Sequence, residues 1–179
     1  AFKNKTLKPG SPIELSPLPG STNCIMPYIY YKTPLYKISQ LKGYNHIISI
    51  SELPKIIEIC CRFNRLSSIG IYPEMEILDC RVNNIKSIAL SPKLIFLQCS
   101  TNHLFTIPSF PILQSLSIKY NLLTALPELP LVRNIMCNDN KITSIHIYPM
   151  LLHLDISMNL LTSLPELPNL NYLDISMNY

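Results

Sequence analysis

Residues 151–169 read LLHLDISMNLLTSLPELPN, and the recurrence of this unit along the chain decides the fold. Its Asn159 belongs to a series of eight asparagines, each 19 residues after the one before. The series consists of Asn45, Asn64, Asn83, Asn102, Asn121, Asn140, Asn159 and Asn178. Seven prolines, from Pro54 to Pro168, keep the same period nine residues after an asparagine. An unbroken period of this length predicts a solenoid in which each repeat is one turn.

Apolar residues recur around each asparagine, and the consensus of the unit is L-x-x-L-x-I-x-x-N-x-L-x-S-L-P-x-L-P-x. The alternation places Leu154 and Ile156 on one side of a short strand, with Asp155 on the other. A single unit cannot bury its apolar side alone, so neighbouring units must stack and form a parallel β-sheet on the concave face. Proline lacks an N–H and disfavours helix in the residue before it. The return segments on the convex face are therefore predicted to be extended or short 3-10 turns, with little α-helix.

The segment L-x-x-L-x-L-x-x-N-x-L resembles the signature of leucine-rich repeats, whose period is usually about 20 to 29 residues. The exits LPELP at 126–130 and 164–168 are similar to the short LPX-type repeats of secreted bacterial effector proteins. The resemblance covers residues 38–179. It implies a leucine-rich-repeat solenoid, and it implies a partner-binding role more than a catalytic one.

The repeated asparagine has a structural interpretation. A buried Asn amide offers two donors and an acceptor, which can satisfy backbone groups left open where the chain turns off the strand. We therefore expect the eight asparagines to form a structural ladder along the solenoid.

Four cysteines, Cys61, Cys80, Cys99 and Cys137, lie three residues before a repeat asparagine, where Ile stands in other units. This phase predicts buried thiols and no disulfide among them. Their spacing lacks a C-x-x-C element, so no metal site is predicted. Cys24 and Cys60 are predicted to be the exposed thiols. No cysteine cluster flanks the array, which favours a reducing compartment.

Composition divides the chain in two. Residues 1–40 carry five Lys and one Glu, within a total net charge of +4. Residues 1–37 are predicted to be a proline-rich basic arm and N-terminal cap, with docking on a neighbouring subunit as the alternative. Residues 38–179 are predicted to be the repeat array, interpreted as truncated at its C-terminus. The lysines are scattered and no run of about 18 apolar residues occurs, so neither nucleic-acid binding nor a membrane span is predicted.

The outward strand positions lie six, four and two residues before each asparagine and are expected to line the concave face. The predicted partner-binding residues are Glu58, Arg62, Ile77, Asp79, Arg81, Phe96, Gln98, Lys119, Asn134, Met136, His153, Asp155, Tyr172 and Asp174. Ile77 and Phe96 form the predicted apolar anchor, and Arg62 and Arg81 lie beside them. The early face is interpreted as mixed basic and the late face as acidic.

The late residues His153, Asp155, Tyr172 and Asp174 form the most chemically suggestive patch. We interpret it as a polar rim, because an open sheet neither excludes water nor shifts pKa values strongly. No catalytic residue, metal or cofactor is predicted.

These observations favour a non-catalytic module that binds a partner protein on its concave face. One alternative is a structural component of a larger assembly, such as a viral capsid or surface layer. The other follows from the resemblance: the recognition domain of a ubiquitin-ligase-type effector whose catalytic domain is absent here. The expected location is a reducing compartment, namely the host cytosol for an effector or the virion for a structural protein.

Overall fold

The computed structural model describes residues 37–38, 47–50 and 53–179. Eight short strands form one parallel sheet, and two further strands pair on the opposite side. The sheet strands are β1 (Lys37–Ile38), β2 (Glu58–Cys60), β4 (Ile77–Asp79), β6 (Phe96–Gln98), β7 (Ser115–Ser117), β8 (Asn134–Met136), β9 (His153–Asp155) and β10 (Tyr172–Asp174). Their spatial order follows the chain order, as expected of a solenoid.

The register reproduces the period of the sequence. From β2 to β10 every Cα pairing joins residues 19 apart, as Ile77 with Phe96 and Asp155 with Asp174. The pairing of β1 with β2 differs, because Lys37 lies opposite Glu58, 21 residues later. The constant offset places equivalent residues of successive repeats in continuous columns.

The return segments on the convex side are extended. β3 (Ser68–Ile69) and β5 (Ser87–Ile88) pair in parallel, and an isolated bridge joins Ala125 to Ser144. Within residues 47–50 and 53–179 no segment is helical. The predicted leucine-rich-repeat solenoid with little α-helix is thus confirmed.

The apolar core lies between the concave sheet and the return segments. In its leucine column Leu78, Leu116 and Leu154 are fully enclosed, whereas Leu173 of the last strand keeps 44 % of its surface exposed. The side chains eight residues after each asparagine differ in size. In this column the buried Ser91, a small residue, comes between the buried Tyr72 and Phe110. Alternation of large and small side chains lets such layers interdigitate at native density.

The asparagine column connects successive repeats through hydrogen bonds. Asn121 Nδ2 lies 3.1 Å from the carbonyl oxygens of Ile118 and Lys119 in its own repeat, and 3.1 Å from that of Cys99 in the preceding one. Its Oδ1 accepts a hydrogen bond from the Leu104 N–H at 3.0 Å. The same contacts recur at Asn83, Asn102, Asn140, Asn159 and Asn178. Each asparagine therefore bridges two turns of the solenoid.

The first members of the ladder are described only in part. Asn64 accepts from the Ile47 N–H and donates to the carbonyls of Cys61 and Arg62. Asn45, Cys24 and residues 1–36 of the arm and cap predicted at 1–37 lie outside the described residues.

The residue before each of the seven asparagines from Asn64 to Asn178 adopts a left-handed backbone conformation, which the sequence analysis did not predict. Seven consecutive repeats have φ between 53° and 58° at this position, and none of them uses glycine. The residues are Phe63, Val82, Thr101, Tyr120, Asp139, Met158 and Met177. Such a conformation is unfavourable for β-branched side chains. The turn is retained because its N–H groups bond to the next repeat, as Thr101 does to the Lys119 carbonyl at 2.8 Å.

Replacing Asn121 with Leu is expected to lower the free energy of unfolding by about 3 to 5 kcal/mol, because several buried backbone groups lose their partner. Urea denaturation followed by circular dichroism measures the effect. The control is Asn84→Leu at an exposed position, for which a change within about 0.5 kcal/mol is expected. Equal stability of the two variants would contradict the role of the ladder.

Thr101→Asn is expected to raise the free energy of unfolding by about 0.5 to 1 kcal/mol, because Asn tolerates the left-handed region better than a β-branched residue. Thr101 is exposed at φ 58°, so little burial is lost. Thr106→Asn is the matched control, since Thr106 is also exposed but has no positive φ. An equal gain at both positions would remove the backbone explanation.

Candidate partner-binding face

The concave sheet presents the predicted partner-binding residues on one side. Strand alternation buries Leu78 in the core and turns its neighbours Ile77 and Asp79 to the concave side. Their exposure nevertheless differs. Phe96, Gln98, Asn134 and Tyr172 are exposed; Glu58, Arg62, Ile77, Arg81, Lys119, Met136, His153, Asp155 and Asp174 are half-buried; and Asp79 is buried.

A charged cluster occupies the face at β2 and β4. Arg81 donates from Nε and Nη2 to the two carboxylate oxygens of Asp79, at 3.0 and 2.9 Å. Arg62 Nε lies 2.6 Å from Asp79 Oδ2, an ion pair without the alignment of a hydrogen bond. The bond to Asp79 is the main cause that raises the pKa of Arg81. One buried carboxylate therefore pairs with two guanidinium groups, and its two hydrogen bonds orient that of Arg81.

An apolar pair lies beside this cluster. Ile77 and Phe96 are Cα partners on β4 and β6, as the repeat phase predicted. Phe96 keeps 45 % of its surface exposed, although it belongs to the residue type that is most often buried or at interfaces. The aromatic side chain is thus accessible to solvent from the concave side.

The middle of the face carries short polar side chains. Ser100 and Ser117 place their hydroxyl oxygens 3.1 Å apart, and the Lys119 N–H donates to Ser100 Oγ at 3.2 Å. Both serines are buried, whereas Phe96 stands exposed beside Ser115. Strand β7 therefore presents only the uncharged side chains of Ser115 and Ser117 to the concave face.

The late end of the face carries two aromatic rings and two carboxylates. His153 and Tyr172 stack with ring centroids 4.1 Å apart and an interplanar angle of 9°. Asp155 Oδ1 accepts from Ser157 Oγ at 2.8 Å, and Asp174 Oδ1 accepts from Ser176. The column two residues before each asparagine predicted both serines on the concave face, although neither is among the predicted partner-binding residues. The repeated LDIS at 154–157 and 173–176 was the available signal, since residues two apart on a strand share a face.

The two carboxylates at the late end, Asp155 and Asp174, have different partners. The Ser176 hydroxyl, and then the Ser176 backbone N–H, lower the pKa of Asp174. Lys119 Nζ reaches Asp155 Oδ2 at 3.3 Å across two repeats. The two carboxylates therefore differ, since Asp155 holds a cation of the same chain while Asp174 has only hydrogen-bond donors among the described residues.

The charge pattern departs from the expected gradient. The early face is neutral on balance, because Asp79 lies between the two arginines and Glu58 adds a second carboxylate. The late face is acidic at Asp155 and Asp174, as the sequence indicated. The three outward columns of the described repeats together carry four carboxylates and three cationic side chains.

The cysteines lie where the repeat phase predicted, with one exception. Cys61, Cys80, Cys99 and Cys137 are fully buried free thiols. Burial raises the pKa of Cys61, Cys80 and Cys137. The prediction that Cys60 is exposed was wrong, because only 4 % of its surface is accessible. This short side chain lies opposite Asp79, where the two long arginine side chains converge.

Neither a metal site nor a membrane-spanning helix is found in the part of the chain that the structure describes. No group of three or more His, Cys, Asp or Glu side chains there is arranged to hold a metal ion. No helix among the same residues is long and apolar enough to cross a membrane.

Comparison with solved structures places this architecture among known ones. The chain is similar to YopM, a leucine-rich effector protein from Yersinia pestis, with a TM-score of 0.63 and 23 % identity over 76 % of this chain and 48 % of that one. It is also similar to YopM from Yersinia enterocolitica, with a TM-score of 0.59 and 27 % identity over 80 % and 44 %. The chain thus spans less than half the length of either protein. No family model and no curated protein matches it. The predicted resemblance to leucine-rich-repeat effectors is confirmed.

The burial of the thiols predicts their reactivity. Cys60, Cys61, Cys80, Cys99 and Cys137 are expected to resist a maleimide in the native protein, as measured by intact mass. For Cys61, Cys80 and Cys137, raising the pH from about 7 to about 9 should not restore fast labelling, because their raised pKa values keep the thiols protonated. The urea-unfolded protein is the positive control. Rapid labelling of Cys80 or Cys99 in the native protein would contradict the assignment of the cysteine column to the core.

Proposed function

We propose that this chain is a protein-recognition module that holds a partner on its concave face and catalyses no reaction itself. The observation that carries the proposal is the exposed Phe96 on an open sheet, beside Ile77 and a fixed pair of arginines. Aromatic and arginine side chains dominate the binding energy of protein interfaces. Solenoids use their extended concave surfaces in the same way.

The fixed arginines support this role. A guanidinium group that is already oriented loses less conformational entropy when it binds. Asp79 provides this orientation for Arg81 through two hydrogen bonds, and it forms an ion pair with Arg62. Both retain about a third of their side-chain surface, 34 % and 35 %, for contact with a partner.

The charge balance favours a protein over a polyanion as the partner. Nucleic acids are held mainly by Lys and Arg neutralising phosphates. The concave columns carry one carboxylate more than they carry cations, which suits the mixed surface of a protein.

An effector role is part of the proposal, because YopM from Yersinia pestis is an effector protein of the same architecture. Such a role would place the chain in the cytosol of a host cell. The five free thiols among the described residues are compatible with such a reducing compartment. The comparisons lend no support to a virion or structural role.

Phe96→Ala is expected to weaken partner binding at least about tenfold, since an aromatic anchor typically contributes about 2 kcal/mol or more. The measurement is a quantitative pull-down from host-cell extract with the full chain, read by mass spectrometry. A matched control exists, because Phe105 is 56 % exposed but lies after the repeat asparagine, outside the concave sheet.

Two outcomes decide the proposal. A partner retained by the wild-type chain and by Phe105→Ala, but lost with Phe96→Ala at unchanged melting temperature, supports it. Binding that depends on Phe105 and not on Phe96 would place the interface elsewhere.

A further inference from the structure

The two arginines of the concave face share one carboxylate. Asp79 is buried, and Arg81 Nε and Nη2 bond to its two carboxylate oxygens at 3.0 and 2.9 Å. Arg62 Nε lies 2.6 Å from Asp79 Oδ2 as well. The acceptor oxygens at this point are therefore occupied from within the chain, while Arg81 Nη1 donates to none of the described residues.

Gln98 adds a neutral donor on the next strand. It is the Cα partner of Asp79, so the two side chains start from backbones about 4.8 Å apart on the concave side. Gln98 is exposed, and its side-chain amide has no hydrogen-bond partner among the residues that the structure describes. The place lies inside the sheet, since β4 and β6 have β2 on one side and β7 on the other.

The charges around Asp79 do not cancel. Two guanidinium groups and one carboxylate leave an excess of one positive charge. The second carboxylate of the early face belongs to Glu58, which starts four residues before Arg62, or about 13 Å along the strand. Charges at a protein surface are screened beyond about 8 Å at physiological ionic strength, so Glu58 offsets little of this excess.

We propose that Arg81 and Gln98 form a subsite for a carboxylate of the partner protein, supplied by an Asp or Glu side chain. The inference rests on the proposed function and names the chemistry of one of its contacts. A guanidinium group has five N–H donors in a planar fork, so it can bond to two carboxylates at once. One edge of Arg81 holds Asp79, and Nη1 is left for the carboxylate of the partner.

The bonds to Asp79 prepare Arg81 for this contact. They hold the plane of the guanidinium group, so less conformational entropy is lost when a second carboxylate binds. A charge-assisted hydrogen bond is about twice as strong as one between neutral groups. Arg81 is therefore expected to contribute most of the affinity of the subsite, and the Gln98 amide to position the second carboxylate oxygen.

The apolar anchor lies next to the subsite. Phe96 and Gln98 are two residues apart on β6 and share the concave side, at a separation of about 7 Å. The partner should therefore carry an acidic residue beside an apolar one. The two residues would be two positions apart in a strand, or three to four apart in a helix.

The probe is a displayed library of random linear peptides selected on the full chain. The expected peptides carry Asp or Glu at one of these spacings from an apolar residue. For a selected peptide, replacing the acidic residue with its amide should weaken binding to the wild-type chain about tenfold. With Arg81→Gln the same replacement should change binding less than about twofold, because the bond that it removes is already absent.

Gln98→Glu tests the subsite at an exposed position. Its carboxylate lies beside Arg81 and competes with that of the peptide, so binding should fall at least about tenfold with no loss of melting temperature. Gln114→Glu is the matched control, because Gln114 is also exposed but lies before β7, outside the outward columns. Arg133→Gln is the control for Arg81→Gln, since Arg133 is exposed outside the same columns. Both control variants should bind the peptide as the wild type does.

The outcomes separate this subsite from the proposed function. Selected peptides without an acidic residue, or peptides that bind Gln98→Glu as tightly as the wild type, overturn the subsite alone. If Arg81→Gln lowers the melting temperature, Gln98→Glu decides. A selection that enriches no sequence also overturns the subsite, because a random library contains the pairs of apolar and acidic residues that it should bind. The pull-down with Phe96→Ala then decides the concave-face proposal independently.

Discussion

The structure depends on one interaction, the side-chain amide of an asparagine that bridges two turns of backbone. Asn121 shows the arrangement: its Nδ2 lies against carbonyls of its own repeat and of the preceding one, while its Oδ1 accepts the Leu104 N–H. Asn offers a donor and an acceptor on a short side chain, whereas Asp has no donor and Gln is one methylene longer. The amide therefore satisfies buried backbone groups at the point where the chain leaves the strand, and the constant 19-residue period repeats this contact from Asn83 to Asn178.

The constant length then creates the surface. Because every pairing from β2 to β10 has the same offset, equivalent residues stand side by side in columns, and the concave face is decided by three positions in each repeat. Asp79 makes the early columns neutral by holding Arg62 and Arg81, and the late columns end in Asp155 and Asp174. A face of this kind is wide, open and chemically varied along its length.

The same periodicity lets the chain tolerate an unfavourable backbone conformation in successive repeats. The left-handed residue before each asparagine is never a glycine in the described repeats, and Val82 and Thr101 are β-branched. The inter-repeat bonds of the turn hold these residues in place, so the strain is distributed over many units. Within the core, Ser91 provides the space that Tyr72 and Phe110 occupy on either side.

The sequence by itself determined the solenoid, the asparagine ladder, the division into core and concave columns, and the burial of Cys80 and its equivalents. These properties repeat with a period, so a pattern in one dimension contains them. Only the tertiary structure decided which side chains meet across the strands: the burial of Cys60, the stacking of His153 on Tyr172, and the reach of Lys119 to Asp155. It also decided the left-handed turn and the 21-residue offset of the first pairing. Such contacts depend on side-chain length and rotamer and on partners 19 or more residues away, which a consensus repeat does not contain.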